Sequence, residues 1–191
     1  MHIIPLEIEF DLDELIDYYN TLESDYQQFK WTLQDDVEDA DKGHKHEGIF
    51  GWGIQSNLLD LSKPCPPYDI HKNRTTIYRD TNLVFGFAKK IINFFPSVRQ
   101  LGIAGHPPGV EIMQHIDNDN YYKIHLPIIS NYDAYFTFGD TKYILDPGRI
   151  YLVETSIMHG TVNNGDNTRV HMLFKCNRET ISQVKSLRGK V

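Results

Sequence analysis

The sequence predicts a mainly β protein, a sandwich or barrel of jelly-roll type that carries helices on one outer face. Two patterns point there. From about residue 99 to 175, eight short runs rich in Ile, Val, Tyr and Phe follow one another in period two, separated by Gly, Pro, Asn and Asp. Upstream, two segments space their apolar residues at helical intervals. Strands clustered after helices favour a sheet structure covered on one side over an alternating α/β fold.

The first helix is expected over 11–31, where Leu12, Leu15, Ile16, Tyr19 and Leu22 share a face, acids lie between them and Asp11 suits the N-cap. Residues 35–48, DDVEDADKGHKHEG, are polar throughout and predict a surface loop. The pair His44 and His46 within it reads as solvated, because nothing nearby supplies burial for a metal site. Phe50 and Trp52 among glycines 48, 51 and 53 suit either a flap over a cavity or a core tryptophan beside a tight turn. The Pro-rich SKPCPPYD that follows excludes regular structure. A second helix is expected over 80–95, with Asp80 as cap and Leu83, Val84, Phe87, Ile91, Ile92 and Phe95 on one face.

Strands are then expected at 99–104, 109–116, 121–129, 133–138, 141–145, 149–154, 158–162 and 168–175, and a last helix at 178–187. No repeat or linker divides the 191 residues, which predicts a single domain. Its β core spans about 99–176, its helical cover and substrate loops 1–98, and a C-terminal helix or tail 177–191. A chain of this length removes roughly 70% of its unfolded surface from water, enough for a core with a pocket and no disulfides.

The formal charge of −7 argues against a nucleic-acid partner, whose backbone is bound by basic groups that displace counterions. The one basic cluster, Lys185, Arg188 and Lys190, reads as a solvated terminus. No apolar run is long enough for a membrane span, and acids interrupt the first residues where a signal peptide needs continuity, so a cytoplasmic protein is expected. Cys65 and Cys176 read as free thiols in a reducing compartment. The expected partner is a small molecule or a peptide.

The nine histidines are the unusual feature of the composition. His115-Ile116-Asp117 places an imidazole and a carboxylate on the same side of an extended strand. With nine histidines and 17 aspartates, one such triplet is expected about once by chance, so it needs company. Company comes from MHGTVNNGDNTRVHMLF, where the turn formers at 163–165 predict a hairpin that sets His159 opposite Arg169, with His171 further along the same face. In YYKIHLPI the even positions are apolar, so Lys123 and His125 fall on the other face and point inward if the apolar face meets the helices. An interior with two cations, several imidazoles and one carboxylate is costly unless an ion and an anionic ligand neutralise it. Two His and one carboxylate suit Fe(II) with positions left open for a 2-oxo acid and O2. A guanidinium such as that of Arg169 suits the far carboxylate of that acid.

The ordered set resembles the aspartyl/asparaginyl β-hydroxylase family of Fe(II)- and 2-oxoglutarate-dependent oxygenases, which includes relatives that hydroxylate free proline. The matching residues are Pro108-Gly109, His115-Ile116-Asp117, Lys123-Ile124-His125-Leu126-Pro127, Gly148, His159, Asn163 or Asn164, Gly165-Asp166 and Arg169-Val170-His171, with a fainter echo in Gly51-Trp52 and Tyr78-Arg79-Asp80-Thr81. The resemblance implies a double-stranded β-helix of the jelly-roll or cupin-like kind. It also implies His115, Asp117 and His159 as iron ligands and catalytic residues, Arg169 on the distal carboxylate of 2-oxoglutarate, and His125, with Lys123 and His171 as further candidates, around the same co-substrate. Part of the family has Arg where this chain has Lys123, a point charge without the fork. The animal peptide-hydroxylating branch lacks the carboxylate ligand that Asp117 supplies here, and a halogenase would hold a halide in its place. The expected activity is hydroxylation of an aspartyl, asparaginyl or prolyl-type amino acid, free or in a peptide. The competing reading is a cupin-like metal-dependent binding or sensor protein without turnover.

Overall fold

Every one of the eight period-two runs becomes a strand, and the segment before them adds more. The structure, a computed structural model, describes residues 2–33, 47–65, 74–117, 121–177, 179 and 189–190. The loop with His44 and His46, most of the Pro-rich stretch, the basic side chains of the C-terminus and, residue 179 apart, the helix expected at 178–187 lie outside the described residues. In chain order the elements begin with β1 (Ile3–Glu9), α1 (Leu12–Asp25), a 3-10 turn at Gln27–Phe29, β2 (Trp31–Thr32), β3 (Phe50–Gly53), β4 (Gln55–Leu58), β5 (Arg74–Asp80) and α2 (Gly86–Phe94). They continue with β6 (Arg99–His106), β7 (Glu111–His115), β8 (Tyr122–Ile129), β9 (Ala134–Phe138), β10 (Thr141–Tyr143), β11 (Arg149–Val153), β12 (His159–Asn163), β13 (Arg169–Cys176) and β14 (Gly189–Lys190).

These form an eight-stranded sheet in the order β14-β1-β11-β8-β13-β6-β3-β2, a four-stranded sheet in the order β10-β9-β12-β7, and a separate β4-β5 pair. The segment before residue 98, expected as helical cover and loops, thus also extends the large sheet at both of its sides with β1, β2 and β3. Those strands escape a period-two reading: β1 carries a register shift after Pro5, and β3 is Phe-Gly-Trp-Gly.

One face of the large sheet meets the helices. Ile124, Leu126 and Ile128 of β8, Ile150 and Leu152 of β11, and Val170, Met172 and Phe174 of β13 join Leu15, Tyr18, Tyr19 and Leu22 of α1 and Phe87, Ala88 and Ile91 of α2 in one core. Burying each large apolar side chain is worth roughly 1.5–3 kcal/mol, and this layer holds the cover in place. Asp11 caps α1 as its spacing implies, its carboxylate accepting from the backbone N–H of Asp13 and Glu14. Asp80 does not cap α2. It ends β5 and accepts a hydrogen bond from Gln55 Nε2, while the Thr81 hydroxyl accepts from Leu83 N and shapes a turn, so the helix starts only at Gly86.

The hairpin expected at 163–165 is also replaced. β12 pairs with β9 and β7 in the small sheet, whereas β13 pairs with β6 and β8 in the large one, so the turn carries the chain from one sheet to the other. Asn163 secures this crossing: its Nδ2 donates to His106 O at 2.7 Å and to Asn167 O at 2.9 Å. Trp52 is fully buried in the core and is no part of a flap. Cys65 and Cys176 are both buried, and burial pushes the Cys176 thiol up to about 12.

Close packing around β3 sets a test. A Cβ on Gly51 would lie 1.9 Å from Ile103 O, a backbone atom of β6. Gly51→Ala is expected to lose at least about 3 kcal/mol in urea unfolding, because backbone must move. Gly109→Ala, at φ +83 with nothing within 4 Å, is expected to lose only about 1 kcal/mol, the left-handed conformation alone being disfavoured.

Candidate functional site

The space between the sheets is lined by the polar faces of the strands whose other faces form the core. On β8 the alternation that buries Ile124 and Leu126 under the helices turns Lys123 and His125 to the opposite face. On β13 it does the same for Arg169 and His171, opposite Val170 and Met172. The small sheet contributes His159, which stands directly across from His115 of β7 in the ladder. Their rings lie 4.4 Å apart between centroids. Asp117 follows β7 and is anchored by its backbone N–H donating to Thr155 O at 2.9 Å.

His115, Asp117 and His159 bring one ligand atom each to within 4.8 Å of one another. Both imidazoles are oriented from behind: His115 Nδ1 lies 2.8 Å from Met113 O and His159 Nδ1 2.9 Å from Ile157 O. A carbonyl can only accept, so both Nδ1 atoms carry a proton and Nε2 is the atom each ring has left to offer a metal. This is the tautomer a metal ligand needs, held by the backbone partner such ligands characteristically have. The two oxygens of Asp117 are divided. Oδ1 sits 3.5 Å from His115 Nε2, and Oδ2 accepts from Lys123 Nζ at 2.6 Å.

The charges reinforce this arrangement. Burial alone would raise the Asp117 pKa, but the His115 contact and the Lys123 ammonium outweigh it and hold the carboxyl well below the usual carboxylate range. The Asp117 hydrogen bond raises His115, whereas burial lowers His159. An ionised carboxylate beside two imidazoles, all three within ligating reach of one another, is a set that binds a divalent cation.

Arg169 lies deeper, 4% exposed. Its Nη1 donates to Thr161 Oγ1, its Nη2 lies 2.7 Å from His106 Nδ1, and its guanidinium covers the Phe136 ring at 5.3 Å. His159 and Arg169 therefore share the interior from facing sheets, with Thr161 as the link between them, and are not cross-strand neighbours. His106, which reads as a loop residue between Gly105 and two prolines, ends β6 as a buried partner of this guanidinium. The signal that could have found it is the strand run continuing to Gly105 in alternation, which puts residue 106 on the polar face with Ala104. Thr161, Thr155 and Asn131, whose Nδ2 donates to Asn163 Oδ1, were beyond pattern reading because each acts from a distant strand or turn. His125 and His171 meet each other inside, Nδ1 to Nδ1 at 3.3 Å, and Lys123 is turned to Asp117.

Two tests follow from this geometry. Mn(II) or Co(II) titrated into the protein is expected to bind more than about 100-fold more weakly to His159→Ala and Asp117→Ala, and about 10-fold more weakly to Lys123→Met, the loss typical of an outer partner. The second concerns pH. Burial, with Lys123 next, holds His125 well below its ordinary 6.5, and burial, with Arg169 next, does the same for His171. The unfolded chain therefore takes up protons that the folded one refuses as pH falls through 6.5. Each ring then removes up to about 1.4 kcal/mol of stability per pH unit, with the full contribution present above that value. The urea midpoint of the metal-free protein is expected to drop between about pH 7.5 and 5.5; an unchanged midpoint would contradict neutral burial.

Comparison with known proteins agrees with the geometry. Residues 71–179 match the aspartyl/asparaginyl beta-hydroxylase family. No curated protein matches the chain in sequence. Among solved structures, a 2OG-Fe(II) oxygenase family oxidoreductase from Burkholderia pseudomallei superposes with a TM-score of 0.52 at 9% identity, over 87% of this chain and 91% of that one. A Pseudomonas putida prolyl-4-hydroxylase superposes with a TM-score of 0.52 at 10% identity, over 93% of both chains. At such identity they show the fold alone, a double-stranded β-helix with the helices on one outer face. Among the described residues no helix is long and apolar enough to cross a membrane. More than half of the sequence, including every residue of the His-Asp-His cluster and the buried arginine, lies in the matched segment, and the chain belongs to the aspartyl/asparaginyl β-hydroxylase family.

Proposed function

We propose that the protein is an Fe(II)- and 2-oxoglutarate-dependent dioxygenase that hydroxylates an aspartyl, asparaginyl or prolyl-type amino acid, free or in a peptide. The observation that carries this reading is the convergence of His115, Asp117 and His159, with both Nδ1 atoms held by backbone carbonyls, in one interior with the buried Arg169. The donor set fits the metal: two imidazoles and one carboxylate suit non-haem Fe(II) and leave positions open.

His115 Nε2, His159 Nε2 and Asp117 Oδ1 would hold the iron, while Lys123 keeps Oδ2 and fixes the carboxylate plane. When bound, the iron supplies the redox chemistry by which one atom of O2 enters a substrate C–H bond and the other enters succinate, with release of CO2. The chain's own residues do the placing. Arg169 offers a fork already oriented by Thr161 and His106 for the distal carboxylate of 2-oxoglutarate. Phe136 and Tyr151, both buried, keep the surrounding wall dry.

Succinate formation from 2-oxoglutarate tests the proposal, measured with Fe(II) against the twenty amino acids and short Asp, Asn and Pro peptides. Turnover is expected to require Fe(II), to vanish in His159→Ala, and to show a roughly ten- to hundred-fold higher KM for 2-oxoglutarate in Arg169→Lys, which keeps the charge and loses the fork. Equal rates in wild type and His159→Ala would overturn it.

A further inference from the structure

The interior holds one pair of polar groups that the reading above leaves unexplained. His125 and His171 are 6% and 3% exposed, and among the described residues the only hydrogen-bond contact of either ring is with the other, Nδ1 to Nδ1 at 3.3 Å. The Nε2 atoms of both are buried and have no partner among the described residues. Leaving such atoms unsatisfied costs roughly 1–3 kcal/mol each, so the pair needs a reason.

Proton counting restricts what the pair can be. Burial keeps both rings neutral, and each therefore carries one N–H. Two Nδ1 atoms bonded to each other cannot both donate or both accept. One ring must hold its proton on Nδ1 and leave a lone pair on Nε2. The other must accept at Nδ1 and carry its proton on Nε2. The pair thus presents one buried donor and one buried acceptor, and the contact couples the two tautomers.

Placement decides which ring is which. On β8, His125 lies two residues from Lys123, which grips Asp117 of the metal cluster. On β13, His171 lies two residues from Arg169 on the same face. A cation stabilises a lone pair and repels an N–H; beside His125 the Lys123 ammonium is opposed by the Asp117 carboxylate, whereas no carboxylate opposes Arg169 among the described charges that act on His171, which favours the unprotonated Nε2 on His171. The pair shares the inner face of β8 and β13 with Arg169, and a carboxylate held on that face can be met only by a donor.

We infer that His171 is a positioning residue: it donates from Nδ1 to His125 Nδ1 and so fixes the His125 proton on Nε2, where it is poised to donate to an anionic carboxylate ligand. The identity of that ligand as 2-oxoglutarate rests on the proposed function. The tautomer assignment does not, since it concerns the protein alone.

The test reads the protons directly. Long-range 1H–15N correlation spectra of histidine-labelled, metal-free protein distinguish Nδ1–H from Nε2–H rings. His125 is expected as Nε2–H and His171 as Nδ1–H, with no co-substrate present. His171→Asn restores a donor to His125 Nδ1 and is expected to keep the Nε2–H signature and near-native 2-oxoglutarate binding to the Mn(II) protein. His171→Phe removes the donor and is expected to bind 2-oxoglutarate roughly ten- to hundred-fold more weakly. The reverse tautomers in the wild-type spectrum, or His171→Phe binding as tightly as wild type, would overturn the inference. Because the spectra need neither metal nor turnover, an inactive protein with the stated tautomers would count against the proposed activity and leave the His171–His125 assignment standing.

Discussion

Strands β8 and β13 have to bury both of their faces, and most of the molecule follows from that constraint. Their even-numbered side chains, Ile124, Leu126, Val170, Met172 and Phe174 among them, need an apolar cover. Their odd-numbered side chains, Lys123, His125, Arg169 and His171, need an interior that satisfies polar groups. Helices α1 and α2 answer the first need, and the four-stranded sheet, with the inward-facing Thr161 and His159, answers the second. A central pair of strands that was apolar on one side and solvated on the other could have managed with a single sheet and no site.

Polar burial on the inner side is tolerated because almost every group is held by another. The Arg169 guanidinium has Thr161, His106 and the Phe136 ring, and Asp117 has Lys123 and His115. Beside the buried cations the neighbouring rings stay neutral: His125 and His171 are pushed well below the ordinary histidine value, burial being the larger cause. The same logic divides the interior into two zones. Around Asp117 an ammonium and an imidazole meet the carboxylate; around Arg169 the guanidinium meets the Thr161 hydroxyl, the His106 ring and the Phe136 face. An anion is favoured in the second zone and a cation in the first, which is the electrostatic layout that a metal with an anionic co-substrate requires.

The legibility of this arrangement in the sequence follows the range of the interactions that create it. The strands from β6 to β13 are written in local alternation, and His115-Ile116-Asp117 and Arg169-Val170-His171 inherit their shared faces from that alternation alone. What alternation does not contain is the partner of a strand. The turn at 163–165 looks like a hairpin because Asn-Asn-Gly-Asp is turn chemistry in either case, and only the pairing of β12 with β9 and β13 with β8 makes it a crossing between sheets. Asp80 looks like a helix cap for the same reason, and Gln55, twenty-five residues earlier, claims it for a strand. His106 stayed hidden because its role is defined by Arg169, sixty-three residues away. The glycines of β3 conceal a strand that exists because Gly51 and Gly53 let it approach β6 and Cys65 closely.

Lys123 shows how one substitution within a family pattern can move a side chain from one zone to the other. A guanidinium at this position would present a planar fork suited to a carboxylate edge-on, and it could span toward an anionic ligand while keeping some contact with its neighbours. An ammonium is a compact point charge, and it settles on the nearest full negative charge, Asp117 Oδ2, at 2.6 Å. The consequence is geometric as much as electrostatic. With Oδ2 held by the ammonium, Oδ1, the oxygen turned toward His115, is the less engaged of the two. A carboxylate that met a metal through one oxygen would leave one more position open than a chelating one, and the Lys123 contact favours that mode by holding the other oxygen.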